Sequence, residues 1–229
     1  MNRFDPVIDS RPDDRPWPSF AWPLEPDVRL RGSIVELRLA DSERDAGELF
    51  AALDHDAVWA HVAGRPRDGA SCANTLAEAA SLGRYPWVVR LVGPLCGLAP
   101  GTVVGSSSYL DVSPADARLE IGFTSYDPRV WGSSVNPEAK LLLLGHAFEA
   151  LGAGRVQLKT DVRNQRSQGA IARMGARHEG TLRRYQRRSD GTVRDTVLFS
   201  ILAEEWPAVR AGLQARLGKI TAPAGSPSA

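Results

Sequence analysis

Apolar and polar residues alternate along Ile34-Val35-Glu36-Leu37-Arg38-Leu39, the period-two pattern of a strand with one buried face. Asp41 or Ser42 then offers an N-cap for a helix reaching Leu53. After a polar loop a second helical stretch is expected over residues 74–82. Residues 87–92, 102–112 and 118–126 read as three strands separated by Gly/Pro and Pro/Ala/Asp turns, which predicts an antiparallel meander. In residues 137–151, Leu141, Leu144, Phe148 and Leu151 recur at helical spacing, and Leu142 and Leu143 widen the apolar face until the helix must be buried. Asn136 is its expected N-cap, Pro137 its first residue and Gly152 its stop. A strand over 155–160, a short helix over 165–174 closed by Gly175, a hairpin of 178–188 with 193–201 across Ser189-Asp190-Gly191, and a last helix over 204–217 complete the pattern.

Strands and helices in this mixture predict one α/β domain over residues 33–218. Residues 1–32 are rich in Pro and Asp and read as an irregular arm pinned by Trp17, Phe20 and Trp22. Residues 219–229 form a Pro/Ser/Ala/Gly tail that cannot bury enough surface to order itself. The 229-residue chain carries 28 Lys+Arg against 27 Asp+Glu, so it has no overall field for gripping a polyanion, and nucleic acid is not an expected partner. Cys72 and Cys96 lack the spacing of a zinc site or a disulfide framework, which fits a reducing cytoplasm. The acidic, Pro-containing start does not read as a signal peptide, and no apolar run is long enough to suggest a membrane span.

The chemistry concentrates where the strand 118–126 passes through a loop, Asp127 to Val135, into the buried helix. A helix N-terminus gathers unpaired N–H groups and favours an anion such as a pyrophosphate. Trp131-Gly132-Ser133-Ser134 alone is equally an ordinary helix start. Downstream, Lys159-Thr160-Asp161 ends a second strand, followed by Asn164, Ser167 and Met174-Gly175-Ala176, so two strand ends open beside one loop.

Leu119-Glu120-Ile121-Gly122-Phe123, the Trp131-Gly132 loop, and Asn164-Gln165-Arg166-Ser167 running to Gly180 together resemble the GNAT superfamily of N-acetyltransferases, in its ribosomal-protein alanine acetyltransferase (RimJ/RimL-type) branch. The likeness covers about residues 33–206. It implies a mixed, mostly antiparallel sheet, splayed at the cofactor site and flanked by helices. It further implies acetyl-CoA as co-substrate, no metal, and an acetyl group moved to a primary amine by direct attack. By resemblance the pyrophosphate rests on Gly132, Ser133, Ser134, Val135 and Asn136, the pantetheine runs along Phe123 and Thr124, and Asn164 and Ser167 lie close by. The family loop, Q/R-x-x-G-x-G/A, is altered here: with Trp131 at its first position, Ser134 and Asn136 replace the two small residues, and Pro137 removes a donor.

Glu120 is the candidate base, acting through water, or else a strand carboxylate in an ion pair. Ser167 is the candidate proton donor to the leaving thiolate, or else the third residue of a helix capped by Asn164. Ile171 stands where many relatives carry Tyr, and Gln186, aligned with a carboxylate of some relatives, cannot take a proton. A weak base suits an α-amine, about a quarter neutral near pH 7.4, better than a lysine, neutral to about one part in a thousand. The acceptor is therefore a protein or peptide N-terminus or a small-molecule amine, and the alternative is a catalytically silent acyl-CoA-binding or sensing module. Arg183, Arg184, Arg187, Arg188 and Arg194 crowd one hairpin, as a solvated face or as a lure for an acidic acceptor. His55, His61 and His146 are expected to be structural or exposed, and Lys140 to approach a phosphate or face solvent. A homo-oligomer is left open.

Overall fold

Among the described residues, 5–8 and 18–221 of a computed structural model, eight strands hydrogen-bond into one sheet. They are β1 (Arg29–Arg31), β2 (Val35–Leu39), β3 (Arg84–Leu91), β4 (Val103–Ser113), β5 (Arg118–Tyr126), β6 (Arg155–Asp161), β7 (Arg177–Arg187) and β8 (Val193–Leu202), in the order β1-β2-β3-β4-β5-β6-β8-β7. Every neighbouring pair is antiparallel except β5 with β6. This is the mixed, mostly antiparallel α/β sheet expected, with the meander at β3–β5.

The arm differs from its reading. Its residues Arg29–Arg31 form edge strand β1, too short to show a period, and the described residues before it lack regular structure. Phe20, Trp22 and the buried Leu24 pack that part against the core, and the Ala21 N–H donates to Leu151 O. Trp17 lies outside the described residues, as do residues 222–229 of the expected tail.

Helix α1 (Ser42–Leu53) starts where expected, because Asp41 accepts from the N–H groups of Glu43 and Arg44 at 3.0 and 2.8 Å. The supposed polar loop after it holds two helices, α2 (Asp56–Trp59) and α3 (Gly69–Ala77). The second begins five residues before the expected start, because Asp68 and Ser71 form a reciprocal capping box. It ends early too, giving way to a 3-10 turn at Ala80–Leu82.

Helix α4 (Val135–Gly145) begins before Asn136. Ser134 is the N-cap and Pro137 sits at the third position, where a missing N–H still costs nothing, so the expected Asn136 cap is corrected. A single π-type turn, His146–Ala150, follows. Buried Glu138 ties this helix to the sheet: its carboxylate accepts from Ser33 N and Oγ, Ile34 N and Val35 N at 2.7–3.0 Å. The carboxyl lies so close to Gly32 that a Cβ there would overlap it. Helices α5 (Gln165–Ala172) and α6 (Trp206–Thr221) complete the chain, the latter running past the boundary expected at 218.

Apolar side chains fill both faces of the sheet. Leu119 and Ile201 of the sheet share one cluster with Leu143 and Leu144 of α4 and Leu213 of α6, and Val88 shares the other with Leu49 and Leu53 of α1 and Cys72 of α3. His146 stacks on Tyr109 of the first cluster, whose hydroxyl donates to Leu143 O at 2.6 Å. No described helix is long and apolar enough to cross a membrane.

Candidate functional site

Strands β5 and β6 pair only at Arg118 with Arg155, Leu119 with Val156 and Glu120 with Gln157, and beyond these three pairs they part. The gap opens a cleft of about 470 Å³. A bulge in β5, where Phe123 and Thr124 stand opposite the single β4 residue Ser107, helps to shape it, and Phe123 adopts a left-handed φ of 45° there and is 49% exposed. Such a φ is strained for an aromatic residue, and strain of this kind collects at functional sites.

The loop into α4 forms one end of the cleft. Its Gly132 has a φ of 77° and open space where a Cβ would stand. The Ser133 N–H donates to Val130 O and the Val135 N–H to Ser133 Oγ, both at 3.2 Å. The N–H groups of Gly132, Ser134 and Asn136 have no partner among the described residues. Three free donors at the start of an eleven-residue helix make a concavity for an anion. A cation that the sequence reading missed stands beside it: the Arg166 guanidinium lies 3.5 Å from the centre of the Trp131 ring. Only the three-dimensional approach of α5 to the loop could reveal that pair.

The structure brings Glu120, Phe123, Thr124, Gly132, Ser133, Asn136, Asn164 and Ser167 to the walls of this one cleft. Ser134 and Val135 do not line it, because their side chains are buried. Asn164 caps α5 by accepting from the Ser167 N–H at 3.0 Å, leaving the Ser167 hydroxyl beside the cleft. Among the hairpin residues, Gln186, Arg187 and Arg194 face the cleft, whereas Arg188 is engaged with Asp161. His61 also borders it.

Glu120 is almost fully buried, and its Oε2 accepts from Lys159 Nζ at 2.7 Å and from Gln157 Nε2 at 3.3 Å. Oε1 carries no hydrogen bond from a described residue. Burial pushes the Glu120 pKa up, with the Lys159 ammonium opposing. One oxygen is thus anchored and the other is free to take a proton.

Lys140 lines the cleft and does not face solvent. It is buried and points from α4 under the cleft, where Nζ donates to Ser107 Oγ at 2.9 Å and Thr124 Oγ1 at 2.6 Å. It has no carboxylate partner among the described residues, and burial lowers its pKa to about 7. No group of three described His, Cys, Asp or Glu residues is placed to hold a metal.

The parted parallel strands and the donor-rich loop between β5 and α4 coincide with a match to the acetyltransferase (GNAT) domain model over residues 35–177. The chain belongs to the GNAT acetyltransferase family. Acetyl transfer from acetyl-CoA is that family's general reaction. A GCN5-related N-acetyltransferase from Brucella melitensis is 26% identical, with 88% of this chain and 89% of that chain covered and a TM-score of 0.78. A protein from T. thermophilus, provisionally described as an acetyltransferase, is 36% identical, covering 86% and 100% with a TM-score of 0.73. Mycobacterium smegmatis RimJ, solved in complex with CoA-disulfide, is 28% identical, covering 83% and 95% with a TM-score of 0.67. The comparison with curated proteins finds no match.

Proposed function

We propose that this GNAT member is an N-acetyltransferase that passes an acetyl group from acetyl-CoA to a primary amine by direct attack. The observation that carries the reading is the parted β5–β6 edge leading to three unpartnered N–H groups at Gly132, Ser134 and Asn136. These residues suit acetyl-CoA: the free donors and Arg166 complement a pyrophosphate, and the unpaired β5 edge at Phe123 and Thr124 offers backbone groups to the pantetheine amides. The left-handed Gly132 also sets the family pattern in a new register. Arg129 then takes its first position, Gly132 its glycine and Ser134 its last small residue, two residues before the register that put Trp131 first.

Acetyl-CoA supplies an acyl group activated as a thioester. In the protein, Glu120 Oε1 takes a proton from the amine through a water, while Lys159 holds Oε2. The Ser167 hydroxyl gives a proton to the departing sulfur and regains one from solvent. The balance is one N–C bond formed, one C–S bond broken, and a net proton passed from amine to thiol.

Isothermal calorimetry with acetyl-CoA, followed by thiol release with a panel of amines, tests the reading. Micromolar binding and amine-dependent release are expected, and absence of binding at millimolar acetyl-CoA refutes it. Ile171, which lines the cleft where relatives place Tyr, favours a second reading as a silent acyl-CoA sensor. That reading predicts binding without thiol release for any amine.

A further inference from the structure

A second cavity of about 470 Å³ lies between α1, α3 and the opposite face of β4 and β5. It meets the cleft along shared residues: Val62, Ala63, Leu110, Phe123 and Ser125 border both. Leu49, Leu53, Trp59, Leu76 and Leu110 make its walls apolar, and its size is that of a small-molecule site.

Three charged residues border this cavity, and two are already neutralised. Asp54 pairs with Arg65 at 2.7 Å, and Asp111 pairs with Arg118 at 3.3 Å and accepts from Gln157 at 2.8 Å. The third, Arg84, has no carboxylate partner among the described residues. One Nη donates to Thr75 O at 3.2 Å, and the guanidinium lies 5.0 Å from the centre of the Phe123 ring. Burial holds its pKa below the ordinary value, yet a guanidinium keeps its charge. An arginine with most of its donors unused, set in an apolar wall, is matched by a carboxylate.

We propose that this cavity holds the body of the acceptor, and that the acceptor is a small primary amine with an apolar body and one carboxylate, which pairs with Arg84. The assignment rests on the acetyltransferase reading above. Phe123, the shared wall, sets the route along which the amine reaches the cleft. The same apolar wall disfavours the first residues of a polypeptide, whose amide groups would be buried there without partners. In the reaction the amine nitrogen bonds to the acetyl carbon, the C–S bond breaks, and the amine proton ends on the thiol, leaving the acceptor's carboxylate unchanged.

Binding is tested without acetyl-CoA, using N-acetylphenylalanine and N-acetylphenylalaninamide as calorimetric probes, which removes the amine's own titration from the comparison. The wild-type protein is expected to bind the acid at least about tenfold more tightly than the amide, the scale of one desolvated charge pair. Arg84→Met should bring the two together. Leu82→Glu, at an exposed rim position of the same cavity, should weaken the acid alone about threefold or more and is a safeguard if the Arg84 variant fails to fold. In turnover with acetyl-CoA, phenylalanine should exceed glycine and a peptide in kcat/KM. Equal binding of acid and amide by the wild-type protein overturns the proposal, as does thiol release with peptides but not with apolar amino carboxylates, an outcome that leaves acetyl transfer standing. Failure to bind acetyl-CoA refutes the proposed function, while the probes still report on the cavity.

Discussion

Replacing Lys140 by Met tests the buried ammonium through pH. Its pKa falls from an ordinary 10.5 to about 7 because burial penalises the charge and two hydroxyls are its only described partners. The unfolded chain keeps this proton up to about 10.5 and the folded chain only up to about 7. Between those values the unfolded state binds more protons, so stability rises with pH across the interval. That interval corresponds to about 5 kcal/mol at 1.36 kcal/mol per pH unit, present in full below pH 7 and recovered toward pH 10.5. From pH 6.5 to 9 the recovery is about 2–3 kcal/mol, or about 5–10 °C in Tm for a chain of this size. Ser107 Oγ and Thr124 Oγ1 lie 2.8 Å apart and satisfy each other when the ammonium is gone, so Lys140→Met is expected to fold. Melting curves of both proteins at half-unit steps from pH 6.5 to 9 give the answer, and groups common to both, such as the partly buried His146, cancel in the difference. The wild-type Tm should gain on the variant by the stated amount. Parallel Tm profiles would mean that water reaches Nζ and that the reasoning is wrong.

Gly132→Val should weaken acetyl-CoA binding at least about tenfold and lower Tm by several degrees, since a β-branched residue at a φ of 77° costs more than about 1–2 kcal/mol. Ser133→Ala should change affinity about twofold or less, and equal effects by calorimetry would place the phosphates elsewhere. Glu120→Gln should reduce kcat/KM by about 10²-fold at pH 6.5 and by less at pH 9.5, where solvent already supplies neutral amine. A defect constant with pH and accompanied by a large drop in Tm would make Glu120 only the partner of Lys159. Ser167→Ala should lower kcat by about tenfold or more with KM for acetyl-CoA little changed, and an unaltered kcat would leave Ser167 as a helix residue capped by Asn164.

Local signals were legible wherever a short range of chain decides the structure. The alternation in residues 118–126 marks β5 to its ends, and Asp41 and Asn164 announce their caps because the bonded N–H groups lie within three residues. Helix α4 was legible as buried but not in its details. Its apolar residues surround it almost completely, so the pattern cannot say that Lys140 points inward, although buried Ala139, Leu143 and Leu144 share its surroundings. Ser134 displaces Asn136 as the cap because the loop bends at Gly132, and that is a matter of φ rather than composition. The parting of β5 from β6 depends on partners about forty residues apart, and the lone charge of Arg84 appears only once the ion pairs of Asp54 and Asp111 are known.

Gly32 and Glu138 are far apart in the chain, yet neither can vary alone. Any side chain at 32 displaces the carboxylate that receives three backbone N–H groups and a hydroxyl from residues 33–35, and losing that carboxylate strands those donors. Glu138 stands two residues after Asn136, in the same helical turn as the anion-binding donors. A change at the outer end of the sheet is therefore felt as a tilt at the phosphate loop, through one rigid turn. In a lineage of such proteins the two positions should exchange residues together, and a tolerated Gly32→Ala should be found only with a shorter residue at 138. Inherited separately, either change alters ligand affinity without touching the ligand.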